Sequence, residues 1–314
     1  MDDAALAARV IAGDRAALAR ALTRLERDPA AVAGLDRDLA PHTGRCYTVG
    51  ITGAPGAGKS TLVGALLDQA IAARRRTAVL ALDPRSPLTN GAILGDRMRM
   101  ERAAVDTGVF IRSMTADPHG GGLSATTPLA VRALDAAGWP WVLIETVGVG
   151  QSELDIVEAA ATTVVVLNPG WGDEVQAVKA GLMEVADVFV INKADRPGAS
   201  ELRHDLERLL AGGRHTDWRV PIVETVAHEG RGLTELWAAI DAHRAHQEAS
   251  GGLTLRRRRF AMLAVRALAG RLLGARLDAV LASADFSRQL DTLERGECGL
   301  GDLGHALATA ASRA

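Results

Sequence analysis

A chain of 314 residues, 48% hydrophobic and 24% charged, has the make-up of an ordinary folded protein and not of a disordered one. Its net charge of −2 argues against any general attraction for nucleic acid or anionic membrane, and its two distant cysteines, Cys46 and Cys298, offer neither a disulfide framework nor a cysteine metal site. The acidic start does not read as a secretory signal, and no uncharged apolar run reaches the ~18 residues of a membrane span, so a cytoplasmic protein is expected.

In chain order, Leu6, Val10, Leu18, Leu22 and Leu25 recur at helical spacing and predict one amphipathic helix over about 4–26. From residue 47 the pattern changes to short apolar runs at 47–52, 77–82, 109–112, 141–145, 163–167, 188–192 and 220–225. Several lack polar alternation, as expected of strands covered on both faces. Helical stretches at 59–74, 125–137, 201–210 and 233–246 separate most of them, which predicts an α/β fold with a doubly wound, mostly parallel sheet. After Ser250-Gly251-Gly252 the strands stop, and 254–314 reads as wholly helical. The expected division is an N-terminal helical segment (1–44), a central domain (45–250) and a C-terminal helical extension (251–314). The arginine run at 256–259 reads as a binding patch or, more readily, as a solvated helix face, and His243 with His246 as surface residues.

The chemistry begins where the first strand ends. Gly53-Ala54-Pro55-Gly56-Ala57-Gly58-Lys59-Ser60, with Thr61 following, fits the P-loop pattern between a strand and a helix. Glycines let backbone N–H groups turn toward phosphates, and the next helix presents its positive end to them. Lys59 would reach the β/γ-phosphates and Ser60 would ligate Mg²⁺. A phosphate-held Mg²⁺ needs one or two protein carboxylates, and the strand ends supply Asp83 and Glu145. Asp83 alone could equally cap a turn with Pro84. Glu145-Thr146-Val147-Gly148 stands where most GTPases carry Asp-x-x-Gly, so Gly148 N–H would sense the γ-phosphate.

Asn192-Lys193-Ala194-Asp195 follows another apolar strand. The Asp195 carboxylate can accept two hydrogen bonds from guanine, and adenine cannot donate both. Lys193 would lie along the base, and Asn192 would tie this loop to the P-loop. In Thr225-Val226-Ala227-His228 the serine common in the third base loop is absent, which leaves the Ala227 N–H to meet the guanine carbonyl. GTP or GDP with Mg²⁺ is therefore the expected ligand. Only three lysines stand among 36 basic residues, and two of them, Lys59 and Lys193, fall in these motifs. The third, Lys179, becomes a suspect on that ground.

Leu94-Gly95-Asp96-Arg97, Phe110-Ile111-Arg112-Ser113-Met114, the string from Glu145 to Glu153 and Pro169-Gly170-Trp171-Gly172-Asp173-Glu174-Val175-Gln176 together resemble the MeaB/ArgK family of P-loop GTPases. The likeness runs from about residue 10 to 245. It implies a homodimeric GTPase that binds an adenosylcobalamin-dependent acyl-CoA mutase, of the methylmalonyl-CoA mutase type, and acts as its chaperone by gating cofactor loading and protecting the enzyme from inactivation. It further implies that Ser60, Asp83, Asp96 and Glu145 surround Mg²⁺, and that the segment 170–181, with Lys179, relays nucleotide state to the mutase. The helical tail, with Phe260, Leu263, Leu268 and Leu272 on one apolar stripe, is the expected dimer interface. No glutamine follows Gly148 directly, so intrinsic hydrolysis is expected to be slow and partner-stimulated. The rival readings are a metal-insertion GTPase, a P-loop kinase and a nucleotide-binding scaffold without turnover.

Overall fold

Val, Ile and Leu runs too short for helices and too apolar for an exposed sheet form the central layer. The computed structural model describes residues 2–28, 32–83, 106–115, 126–146, 160–170, 185–212 and 217–313. Within them, β1 (Tyr47–Gly53), β2 (Thr77–Asp83), β3 (Val109–Thr115), β4 (Trp141–Glu145), β5 (Thr162–Leu167), β6 (Val188–Asn192) and β7 (Ile222–Thr225) make one sheet. Its order is β3-β2-β4-β1-β5-β6-β7, and every pairing is parallel. All residues of β1, β4, β5 and β6 are buried, as both-face coverage requires.

Successive residues serve opposite layers, because strand side chains alternate. Tyr47, Val49, Ile51 and Leu143 pack with Leu62, Leu66 and Trp237 of α4 (Lys59–Ala72) and of the later helix Leu233–Ser250. On the other face, Leu80, Val142 and Ile144 meet α1 (Asp3–Ile11), α2 (Arg15–Arg27), α3 (Val32–Leu39) and α5 (Thr127–Ala136). Further along that face, Val165, Leu167, Phe189 and Ile191 meet α6 (Ala199–Ala211). The helix Leu233–Ser250 is α7, and the tail forms α8 (Gly252–Leu281), α9 (Ala284–Glu294) and α10 (Leu300–Arg313). Among the described residues no helix is long and apolar enough to cross a membrane.

Four expectations need correction. The N-terminal stripe is buried throughout, but it lies on two helices. Gly13 adopts φ 81° and Asp14 caps α2 by accepting from the Ala17 N–H at 3.0 Å. The tail stripe is divided: Phe260 and Leu268 pack against the chain's own core, whereas Leu272 is 41% exposed. The outward apolar face of α8 is carried by Leu255, Met262, Val265, Leu272 and Leu273.

His243 is fully buried, not a surface residue. Its Nδ1 meets the Thr162 hydroxyl at 2.8 Å, and that hydroxyl meets the Tyr47 phenol at 2.6 Å. Its Nε2 lies 3.3 Å from an Asp187 oxygen. Arg256, expected in solvent, donates twice to the same carboxylate, at 2.6 and 2.7 Å, and the Thr163 N–H adds a third donor at 2.8 Å. Burial pushes the Asp187 carboxyl up, but the hydrogen bond from His243 and the Arg256 charge outweigh it and hold the group below its ordinary value. A charge inside the protein persists only when paired and fully hydrogen-bonded, and this one is. The cluster fastens α7 and α8 to the amino ends of β1, β5 and β6.

Candidate functional site

Glycine is forced on the loop after β1 by its neighbours. At Gly53 (φ 132°) a Cβ would stand 2.0 Å from the Val166 carbonyl oxygen, and at Gly58 (φ 92°) it would stand 2.5 Å from the Asn192 amide nitrogen. The chain can therefore turn tightly between β5 and the base loop only without side chains there. α4 then starts at Lys59, so the positive end of the helix stands at the loop. The Lys59 ammonium is buried and donates to the carbonyls of Gly53 at 2.7 Å and Ala54 at 2.9 Å, so it is folded over the loop's concave side. Ala54 and Ala57 are buried, while Pro55 and Gly56 are exposed.

Parallel pairing of β1 with β4 sets Ile51 beside Glu145, which puts this carboxylate next to the start of α4. Ser60 Oγ donates to Glu145 Oε1 at 2.5 Å, so two hard oxygen groups share one point beside the loop. Thr146 fixes the chain just beyond, through its N–H to the Ile51 carbonyl at 3.1 Å and its hydroxyl to that of Thr52 at 3.2 Å. Asp83 closes β2, two residues beyond the position paired with Glu145, and its side chain lies outside the described part of the molecule. Asp96, Gly148 and Lys179 also lie outside the described residues.

On the far side, Asn192 joins three segments. Its Nδ2 donates to the Ala57 carbonyl at 2.9 Å, and its Oδ1 accepts from the Thr225 hydroxyl at 3.1 Å and the Ala227 N–H at 3.3 Å. The expected tie between the base loop and the P-loop is thus present, and it extends to the loop after β7. Ala227 N–H, expected to face a guanine carbonyl, is directed at Asn192. Lys193 takes the left-handed conformation (φ 57°) and reaches across to the Gly56 carbonyl at 2.7 Å. Asp195 is exposed, and no described side chain claims its carboxylate.

Sequence reasoning missed two residues here. Thr225, 1% exposed, holds the Asn192 amide in one orientation, and Thr146 anchors the turn after Glu145. Each is a hydroxyl residue placed directly at a strand end beside a motif, which is the only signal the sequence offers.

Comparison with known proteins identifies the arrangement. Residues 18–280 match the family model described as methylmalonyl-CoA mutase-associated GTPase MeaB. A putative GTPase of Pyrococcus abyssi is 45% identical over 88% of this chain and 87% of its own length. The mouse mitochondrial protein named methylmalonic aciduria type A homolog is 34% identical over 79% of this chain and 64% of its own. A solved structure described as an LAO/AO transport system kinase superposes with a TM-score of 0.69 at 30% identity, covering 98% of this chain and 96% of that one. The chain belongs to the MeaB family and is a P-loop GTPase, which binds guanine nucleotide and hydrolyses GTP.

Proposed function

We propose that this GTPase is a chaperone for an adenosylcobalamin-dependent acyl-CoA mutase, gating the loading of that enzyme's cofactor. The observation that carries the reading is membership of a family described by its association with methylmalonyl-CoA mutase, over a match that includes the whole nucleotide site. The homodimer and the cytoplasmic setting belong to the same proposal. So does a tail interface on the outward face of α8, with Leu255, Met262, Val265, Leu272 and Leu273.

Guanine is recognised by Asp195, whose exposed carboxylate can take both base donors, with Lys193 lying along the ring. Lys59 exchanges loop carbonyls for β- and γ-phosphate oxygens, so its charge is oriented before nucleotide arrives. Ser60 and Glu145 fit Mg²⁺ because their oxygens already converge at the helix start, and Asp83 and Asp96 complete the proposed set. When bound, Mg²⁺ supplies neutralisation of phosphate charge. Glu145 then holds the Ser60 hydroxyl in place, while Lys59, released from the loop carbonyls, and the N–H groups of the loop orient the phosphates. Gly148 and Lys179 are the residues proposed to sense the γ-phosphate and to relay the mutase's presence.

The test mixes the purified chain with a methylmalonyl-CoA mutase from the same cell, in the presence of GDP or a non-hydrolysable GTP analogue. Co-elution on gel filtration and faster GTP hydrolysis on adding mutase are expected. Separate elution with an unchanged hydrolysis rate would overturn the chaperone reading and leave the GTPase assignment standing.

A further inference from the structure

At the end of the sheet remote from the P-loop, three segments meet at one edge. They are the chain entering β1 at Arg45, the chain entering β2 at Arg74-Arg75-Arg76, and the chain entering β4 at Gly138–Trp141. They line an open cleft of about 480 Å³. β1 runs seven residues from this edge to the P-loop, which sets the two about 20 Å apart.

The cleft is strongly cationic. Arg75 is spent, because it pairs with both oxygens of Asp241 at 2.8 and 2.9 Å and its guanidinium lies over Trp141 and Trp237. Among the described residues the Arg45 guanidinium donates only to the His42 carbonyl, and Arg76 lies 4.8 Å from the Trp139 ring centroid. Arg74 makes no side-chain hydrogen bond or ion pair among the described residues. Arg45, Arg74 and Arg76 are all exposed. The one carboxylate lining the cleft, Asp135, is turned inward and accepts from the N–H groups of Gly44, Arg45 and Cys46. No carboxylate among the described residues therefore answers the three arginines.

Arg74 is also held at a conformational cost. It sits just past the end of α4 with φ 54°, while its N–H bonds the Ile71 carbonyl and the Arg75 N–H bonds the Ala70 carbonyl. This is the helix stop that normally takes glycine. The neighbouring helix α5 ends in the same way with Gly138 at φ 79°, bonded to the Asp135 carbonyl, and with Trp139 bonded to the Leu134 carbonyl. The chain thus uses the unstrained solution at one wall of the cleft and an arginine at the other. The negative end of α4 accounts for a cation nearby, but Arg75 and Arg76 already supply it. Backbone strain retained at an exposed charge points to use of that charge.

We propose that this edge, with Arg45, Arg74 and Arg76, is a docking surface for a carboxylate-rich segment of a partner protein. The guanidinium fork matches carboxylates, and the Trp139 face holds Arg76 in advance, which lowers the ordering cost of binding. Nucleic acid fits less well, because Trp139 and Trp141 are buried at 2% and 7% exposure and offer no stacking platform. A membrane surface also fits less well, because none of the exposed large apolar side chains of the described residues lies in the cleft. The proposal does not depend on the mutase reading, since the cleft lies at the opposite end of the strands.

Anisotropy of a labelled octaglutamate peptide with the full chain tests it. The expected result is salt-sensitive binding that weakens about tenfold in Arg74→Glu/Arg76→Glu. Arg258→Glu/Arg259→Glu, which changes two exposed arginines outside the cleft, should bind like wild type. GTP hydrolysis should be unchanged in both. Arg74→Gly removes one charge while suiting the left-handed backbone, so it should melt no lower than wild type and still bind peptide less tightly. Absence of peptide binding to wild type, or equal loss in both double variants, would overturn the proposal. It would equally fail if a labelled oligothymidylate or phosphatidylserine vesicles bound more tightly than the peptide and lost that binding in Arg74→Glu/Arg76→Glu.

Discussion

The two ends of one sheet handle polar groups in opposite ways. At the amino ends, Asp187, His243, Thr162, Tyr47 and Arg256 answer one another inside the protein, and the result is a joint. At the carboxyl ends, the Lys59 and Lys193 ammonium groups meet loop carbonyls, and the Asp195 carboxylate is exposed. The same strands feed both ends, so the sheet does not decide which end acts. A polar group already satisfied by the chain stabilises the fold, and one the chain leaves accessible can be answered by a ligand. The two ends should therefore respond separately to mutation.

The largest effect is expected at the joint. Asp187→Ala leaves Arg256 and His243 without their acceptor and should cost about 3–5 kcal/mol of stability, read as a fall in melting temperature. Nucleotide affinity measured well below that temperature should stay near wild type; a parallel loss would show that the two ends are coupled. The pH dependence has a definite sign. A carboxyl depressed in the folded state stabilises it above the unfolded pKa of ~3.9, and that contribution fades as pH falls through the lower folded value. Asp187→Asn should accordingly be less stable than wild type at neutral pH, and the two stability curves should converge in acid.

At the other end, Lys59→Ala should leave melting nearly unchanged and weaken GTP binding by about 3 kcal/mol, roughly a hundredfold in Kd, by calorimetry. Asn192→Ala should fall between these cases. It removes the bridge from Ala57 to Thr225 and Ala227, buried on both sides, at a cost of about 2 kcal/mol. Because that bridge serves both the loop and its support, melting temperature and GTP affinity should drop together. A variant that lost only one of them would place Asn192 wholly with the scaffold or wholly with the ligand.

The sequence reveals the two ends unequally. Runs such as 141–145 and 188–192 are recovered residue for residue, because a strand buried on both faces leaves an unbroken apolar signature. The P-loop and Asn192-Lys193-Ala194-Asp195 are legible because backbone geometry dictates residue type at fixed spacing. The joint was not legible. Thr162, Asp187, His243 and Arg256 are scattered over nearly a hundred positions, and each looks like an ordinary surface residue until the fold assembles them. Periodicity likewise finds the apolar stripe of α8 but not what covers it, so Phe260 and Leu268 turned out to face their own core. Gly13-Asp14, by contrast, carried the break between α1 and α2 openly, as a left-handed stop followed by a capping carboxylate.

The smallest effect separates strain from charge at a single residue. Lys193 holds φ 57°, where a Cβ costs on the order of 1 kcal/mol, and its ammonium meets the Gly56 carbonyl at 2.7 Å on an exposed surface. Lys193→Ala loses the ammonium and keeps the strain. Lys193→Gly loses the ammonium and relieves it, so it should melt higher than the alanine variant by the equivalent of about 1 kcal/mol. GTP affinity should fall by the same factor in both, since each lacks the aliphatic stem and charge that would lie along the base. If glycine gave no gain in stability, the left-handed turn would not be strained in this setting. If affinity fell only in the glycine variant, the turn's rigidity and not the lysine side chain would be what the base site uses.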